Sequence, residues 1–502
     1  MNKFLKSIIS IGVITTIAFT SSNSIVKAVP SAPPSGSSGH GENSENGGAP
    51  GKSSNSSSSI THTGATTISE DTTSDGSTYS STTSSENALL VNGGTSTISN
   101  ITVTKSGDSD GDEADFYGVN AAVMAKDGTL NINGGAVTTN GAHANGVFAY
   151  SSGTINISDA TINTSSNNSG AIMVTGGGTL TANNVTATTE GNSSAPIRSD
   201  RGGGTLTVNG GSYTANGVGS PVIYSTADIT VNNATLTSTS SEGAVVEGKN
   251  SITLNNVTLT DTNTSLNSNS ETYKNIFLYQ SMSGDADVGT SSFTAKDSTI
   301  TTNKGDTIFV TNTTATINLE NNKIINNDKT GAFLRIQSGK WGTSGSNGGI
   351  VTLNAKNQTI NGDIFVDNIS TLDISFSNGS NFEGTINADN TAKELSVKLD
   401  NNSILTLTGD SYITSLENTI TDNSNINLNG YTLYVNGTAI TSTNYSSSVT
   451  TTENNKLITE LTPPTVDENI KEFPTAIVAG SSILAIVIIG IVVCIVVKHK
   501  RK

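Results

Sequence analysis

The nine residues "ITVNNATLT", beginning at Ile229, return almost unchanged as "ITLNNVTLT" at Ile252, 23 residues on. They belong to a longer series. Strands opening on Leu130 ("GTLNI"), Ile155 ("GTINI"), Leu180 ("GTLTA"), Leu206 ("GTLTV"), Ile229 and Ile252 follow one another at steps of 25, 25, 26, 23 and 23 residues. After an insertion the register resumes at Phe293 and Ile317. A unit this short cannot bury a hydrophobic face alone, so it must stack on its neighbours in a repeat architecture.

Each unit carries three short apolar-alternating runs. The first is exemplified by Ile229 and Val231, and an Asn-Asn or Gly-Gly corner leads to a second, as in Ala234 and Leu236. The third is a small apolar run: "GVFA", "GAIM", "APIR", "PVIY" or "GAVV". No 3.6-residue pattern lies between them. Three strands and three turns per repeat describe one coil of a parallel β-helix, with coils ~4.8 Å apart. Asn and Gly suit the corners because both tolerate the left-handed conformation of a sharp turn. Residues 86–437 give room for roughly 14 coils, on the order of 65 Å of stacking. A propeller needs ~40–45 residues per blade, and the observed step excludes it.

Composition narrows the class. The 502 residues include 41 acidic and 25 basic side chains, a formal net charge of −16. An acidic chain without basic clusters cannot neutralise phosphates, so no nucleic-acid partner is expected. Lys3 and Lys6, the apolar run Ile8–Phe19 and the small-residue site near Ala28 read as a signal peptide over 1–28. Residues 29–60 form a Gly/Ser/Pro-rich spacer, the β-helix occupies 61–440, and a polar stalk covers 441–472. Residues 473–497, with the uncharged run Ile477–Val497, are long enough for one transmembrane helix, and the basic tail 498–502 is then cytoplasmic. The sole cysteine, Cys494, lies inside that span, so no disulfide braces the extracellular part. The membrane is thus one partner, and the cell membrane with an extracellular body is the expected location.

Two resemblances add to this. The C-terminal end is similar to the sorting signals of sortase-anchored Gram-positive wall proteins, although "LTPPT" and "EFPTA" depart from their L-P-x-T-G motif, which favours a retained membrane anchor. The body, with "ADFYGVNAAV", "IRSDRGGGTLTV", "YQSMSGDADVG" and "NGYTLYVNG", resembles the right-handed parallel β-helices of the pectate-lyase-like superfamily, and among them adhesin-like surface proteins of Gram-positive anaerobes. The resemblance implies an all-β, right-handed, single-stranded parallel β-helix. It leaves activity open, since that superfamily holds lyases, hydrolases, phage spikes and adhesins alike.

Candidate chemistry is sparse. "NGGAPGKS" has Asn46 where a phosphate-binding loop needs Gly, and "GHG" at 39–41 lies in the spacer. Among four histidines only His143, in "NGAHANG", lies on the coils, which leaves no nucleophilic triad. Two of the four arginines, Arg198 and Arg201, flank Asp200. If Ile197 points inward, Arg198 points outward, and the coil step places Tyr224 and Glu247 in the same outward file. An Arg, an aromatic and a carboxylate in a row suit a sugar-binding face; ordinary surface residues around a turn are the bland alternative. Trp341 is the only tryptophan, which argues against an extended aromatic platform. Asp108, Asp110, Asp112 and Asp115 in "SGDSDGDEAD" read either as oxygen ligands for calcium or as a solvated acidic insertion. No other cofactor is expected. Finally, second-strand pairs Thr161/Asn163, Thr186/Thr188, Ser212/Thr214, Thr235/Thr237, Thr258/Thr260 and Thr299/Thr301 form an outward T-x-T grid, which resembles the ice-binding faces of β-helical antifreeze proteins.

The expectation is therefore a non-catalytic, membrane-anchored cell-surface β-helix that binds an extracellular polysaccharide or a host or neighbour surface protein. A carbohydrate-binding or polysaccharide-degrading protein is the alternative, and an ice-binding threonine ladder the third reading.

Overall fold

The computed structural model describes residues 60–266 and 272–440. They lie within one compact unit of the chain, and they form a parallel β-solenoid of about 15 turns. The expected signal peptide, most of the spacer, and the expected stalk and membrane span fall outside the described residues. Among the described residues no helix is long and apolar enough to cross a membrane.

The repeat in the sequence is the register of the fold. Leu130 pairs with Ile155, Ile155 with Leu180, Leu180 with Leu206, and Leu206 with Ile229. Ile229 pairs with Ile252, Ile252 with Phe293 across the insertion, and Phe293 with Ile317. Each of these side chains points into the solenoid and is fully buried. Alternation leaves the intervening residues outside, as a half-buried strand requires. Three parallel sheets result. The first sheet stacks strands such as Asp228–Asn232 and Ser251–Asn255, and the second stacks Thr235–Ser238 on Thr258–Asp261. The third runs through Val147–Tyr150, Ile172–Thr175, Ile197–Ser199, Ile223–Ser225 and Ala244–Glu247. Asn87–Lys105 and Val123–Thr139 each pass through all three without a break. At the far end Thr438–Ala439 turns antiparallel on Leu433–Val435.

The Asn-Asn corner has two jobs. Its second residue takes the left-handed conformation, as at Asn184 (φ 51°), Asn233 (φ 55°) and Asn256 (φ 54°). The asparagine before the left-handed residue joins an amide ladder, also where glycine follows it: Asn209 donates to Asn183 at 3.0 Å, Asn232 to Asn209 at 2.9 Å, and Asn255 to Asn232 at 2.9 Å. Where the corner is Gly-Gly, the second glycine allows close approach. A Cβ on Gly211 would sit 2.1 Å from the Val185 carbonyl oxygen.

Candidate functional site

The outward file of the third sheet runs Leu90, Met124, Phe148, Met173, Arg198 and Tyr224 in successive register. Its first four members form a hydrophobic cluster outside the solenoid core. The cover lies in the insertion after residue 105, which carries the short helix Gly111–Tyr117 and ends in the left-handed Gly118. A Cβ on Gly118 would meet Met124 and Phe148 at 2.5 and 2.7 Å, so glycine lets the insertion lie flat on that cluster. Phe116 is buried, its carbonyl accepts from Thr175 at 2.7 Å, and the Tyr117 carbonyl is 2.6 Å from His62 Nε2.

The polar end of the file holds the sugar-face residues expected from the sequence, and the structure brings them together under cover. Arg198 donates to Asp200 at 2.9 Å and to the Ser193 carbonyl at 3.3 Å. Arg201 donates to Asp285 at 2.7 Å and to Asp112 at 2.8 Å, and its guanidinium lies 3.8 Å from the Phe116 ring centre. Tyr224 and Ser281 both donate to Glu247, and Tyr279 donates to it at 2.8 Å. Arg198 is 7% exposed, Asp200 2% and Glu247 1%. This corrects the open, solvent-facing groove: the residues are outward from the solenoid yet enclosed by the helix insertion and the 280–289 loop.

The register needs a second correction. Tyr224 pairs with Val245, not Glu247. The step from Ile223 to Ala244 in the third sheet is 21 residues, two fewer than the 23-residue step of the first sheet from Leu206 to Ile229. Glu247 lies one outward position further along its strand, within reach of Tyr224 diagonally.

Burial sets the protonation of this network. It pushes the Asp200 carboxyl up to about 7 against the pull of Arg198, with Asp285 and Glu247 adding to the rise. Burial also raises Glu247, against the hydrogen bonds from Ser281, Tyr224 and Tyr279, and holds both tyrosines well above their usual range. The network is a staple: it fixes the helix insertion, the 280–289 loop and the sheet to one another through charge-assisted bonds.

The four aspartates do not converge. Asp108 accepts from the Ala142 N–H at 2.8 Å, Asp110 precedes the helix without a side-chain capping bond, Asp112 pairs with Arg201, and Asp115 is 2.6 Å from His143 Nδ1. Asp112 and Asp115 are three residues apart on the helix Gly111–Tyr117, but each is drawn to its own partner, Arg201 and His143, instead of to one shared point. Among the described residues no group of three or more His, Cys, Asp or Glu is placed to hold a metal ion.

The threonine grid does assemble. Thr161, Thr186, Ser212, Thr235, Thr258 and Thr299 follow in register, as do Asn163, Thr188, Thr214, Thr237, Thr260 and Thr301. All twelve are exposed or half-exposed. The first sheet offers a second such face beside it, with Thr181, Thr207, Thr230, Thr253 and Thr294 in file.

Sequence reasoning missed one further feature. Beyond Tyr224 the outward file of the third sheet continues Val245, Phe277, Phe309, Arg335 and Phe365. Lys274 lies 4.4 Å from the Phe277 ring centre and Arg335 4.5 Å from that of Phe365, while Phe277 stacks on Tyr279 at 4.5 Å. Trp341 joins this group, 5.8 Å from Tyr279. The signal was present as "FLY", "FVT" and "FVD", each opening on its outward phenylalanine, but the insertions near 262–273 and 337–348 hide their common register. Comparison with protein-family models, with curated proteins and with solved structures finds no match to this chain.

Proposed function

We propose that the chain is a non-catalytic cell-surface solenoid that works by binding, as an adhesin or a surface structural protein. One observation carries this reading: exposed hydroxyl and amide side chains stand in register, coil after coil, on two neighbouring sheets, while the charged cluster is enclosed. Such a face offers many equivalent weak contacts whose sum rises steeply with the number engaged. Its partners would be an extracellular polysaccharide or a surface protein of a host or neighbouring cell. The leader at 1–28 and the apolar run Ile477–Val497 fit export and membrane anchoring of such a body.

The test is binding of the purified chain to an array of glycans and extracellular proteins. The proposal expects a hit that weakens in steps as rungs of the grid are replaced, Thr235 and Thr237 first, by lysine. A hit abolished by Arg198→Ala alone would favour the carbohydrate-active alternative, in which the covering helix moves away from the cluster. The same regular grid favours ice as a second ligand. Thermal hysteresis that Thr235→Tyr and Thr237→Tyr abolish would support it, and no hysteresis would remove it.

A further inference from the structure

Near the end of the aromatic file a cleft of roughly 130 Å³ opens on the outer face of the third sheet, lined by Arg335, Gln337, Phe365, Asp367, Asn387 and Asp389 among others. Pockets for drug-sized small molecules run to ~300–1,000 Å³, so this one takes a single side-chain-sized group. Its polar groups divide into those already engaged and those left over. Arg335 is held by Asp306 through bonds of 2.7 and 3.3 Å, which neutralises its charge. Asp367 accepts from the Ser338 N–H at 2.7 Å and Ser370 Oγ at 2.6 Å and so fixes two turns, with no cation paired to it among the described residues. Asn387 accepts from the Thr391 N–H at 3.0 Å and so holds the loop that carries Asp389.

What remains is an exposed carboxylate and an amide, beside a half-buried Phe365 ring that already carries Arg335 at 4.5 Å. The Asp389 carboxylate and the Gln337 side-chain amide make no hydrogen bond or ion pair among the described residues. With Arg335 balanced by Asp306, Asp367 and Asp389 make the lining net negative. Uncompensated carboxylates attract a cation by direct pairing, and the Phe365 ring offers an apolar wall to the alkyl stem of a long basic side chain. We propose that this cleft receives the cationic end of a lysine or arginine side chain on a basic protein partner. The proposal rests on the binding role argued above and names a partner class for it, at a site separate from the threonine grid. The chain's net charge of −16 would steer such a partner in.

The test uses the full chain and a fluorescent, N-acetylated hexalysine peptide at physiological salt, read by anisotropy. Asp389→Asn should weaken binding about tenfold or more, and Phe365→Leu severalfold. Glu70→Gln, an equal charge change at an exposed residue elsewhere, should leave binding within about twofold. Circular dichroism confirms that each variant is folded. Equal weakening by Asp389→Asn and Glu70→Gln would show diffuse attraction to an acidic protein and overturn the proposal, as would no binding at all. An array hit on a glycan that Asp389→Asn abolishes would assign the cleft to a sugar and overturn it too. Array hits that depend on Thr235 and Thr237 but not on Asp389 would support the grid alone, so the two ideas fail separately.

Discussion

Asp261 ends a second-sheet strand between Ser238 and Thr302, fully buried. One carboxylate oxygen accepts from the Asn303 N–H at 3.3 Å, and the other has no partner. Burial, helped by the negative charge of Glu242, pushes this carboxyl from its usual 3.8 up to about 8. The sign follows from linkage: between about pH 4 and 8 the folded chain keeps a proton that the unfolded chain has lost, so this group makes stability fall as pH rises through that window. Above pH 8 the whole cost is present. Each tenfold change in proton affinity is worth about 1.4 kcal/mol, which sets a ceiling near 6 kcal/mol; water reaching the ionised group reduces it, and about 3–5 kcal/mol is expected. Asp261→Asn keeps the shape and the Asn303 bond and removes the charge. Because long repeat arrays depart from two-state unfolding, the assay is amide hydrogen exchange in Thr235–Ser238, Thr258–Asp261 and Thr299–Thr302, compared between wild type and variant at one pH at a time. At pH 3, where the folded and unfolded chains both hold the proton, the two should exchange alike. At pH 9 the wild type should exchange roughly one hundred to several thousandfold faster. A ratio that is the same at both pH values would refute the reasoning.

Three further predictions test the packing, the corners and the cover. Ile252→Ala, between Ile229 and Phe293 in the central stack, should cost about 2–5 kcal/mol as a cavity in a close-packed interior, read as a lower urea midpoint. Asn233→Val should be less stable than Asn233→Gly by about 1–2 kcal/mol, because both lose the bond from Asn256 but only valine resists the left-handed backbone. Arg201→Ala frees Asp112 and Asp285 and removes the contact with Phe116. It should raise amide exchange in Gly111–Tyr117 by roughly ten- to hundredfold, about 1.5–3 kcal/mol of local opening, while exchange in the distant strands stays unchanged.

The first-sheet register could be read residue by residue because the corner after it admits only Asn, Asp or Gly, which keeps the spacing visible. The third sheet follows looser turns, so carrying the first-sheet step over to it misplaced Glu247 by two residues. The structure places Arg198, Asp200, Arg201, Tyr224 and Glu247 near one another, joined by Asp112, Asp285, Tyr279 and Ser281, and it buries the face that the sequence reading left open. Its cover depends on Arg201 reaching Asp112 and Asp285, 89 and 84 residues away in the chain, and no local pattern encodes such partners. One trace was available: Val147–Ala149 and Ile172–Val174 are apolar at outward as well as inward positions, the composition of strands buried on both faces. The four aspartates looked like a metal loop because spacing alone does not distinguish a loop from the first turns of a helix. The aromatic file and the cleft at Phe365 stayed hidden because insertions separate their strands by unequal steps.

The most direct test of the functional account is the affinity of the intact chain for its array ligand as grid rungs are replaced one at a time, from Thr186 and Thr188 to Thr299 and Thr301. Repeated weak contact predicts a graded loss, each rung costing a similar factor and no single rung abolishing binding. Binding that survives replacement of every rung, or that vanishes with one residue outside the grid, would contradict it.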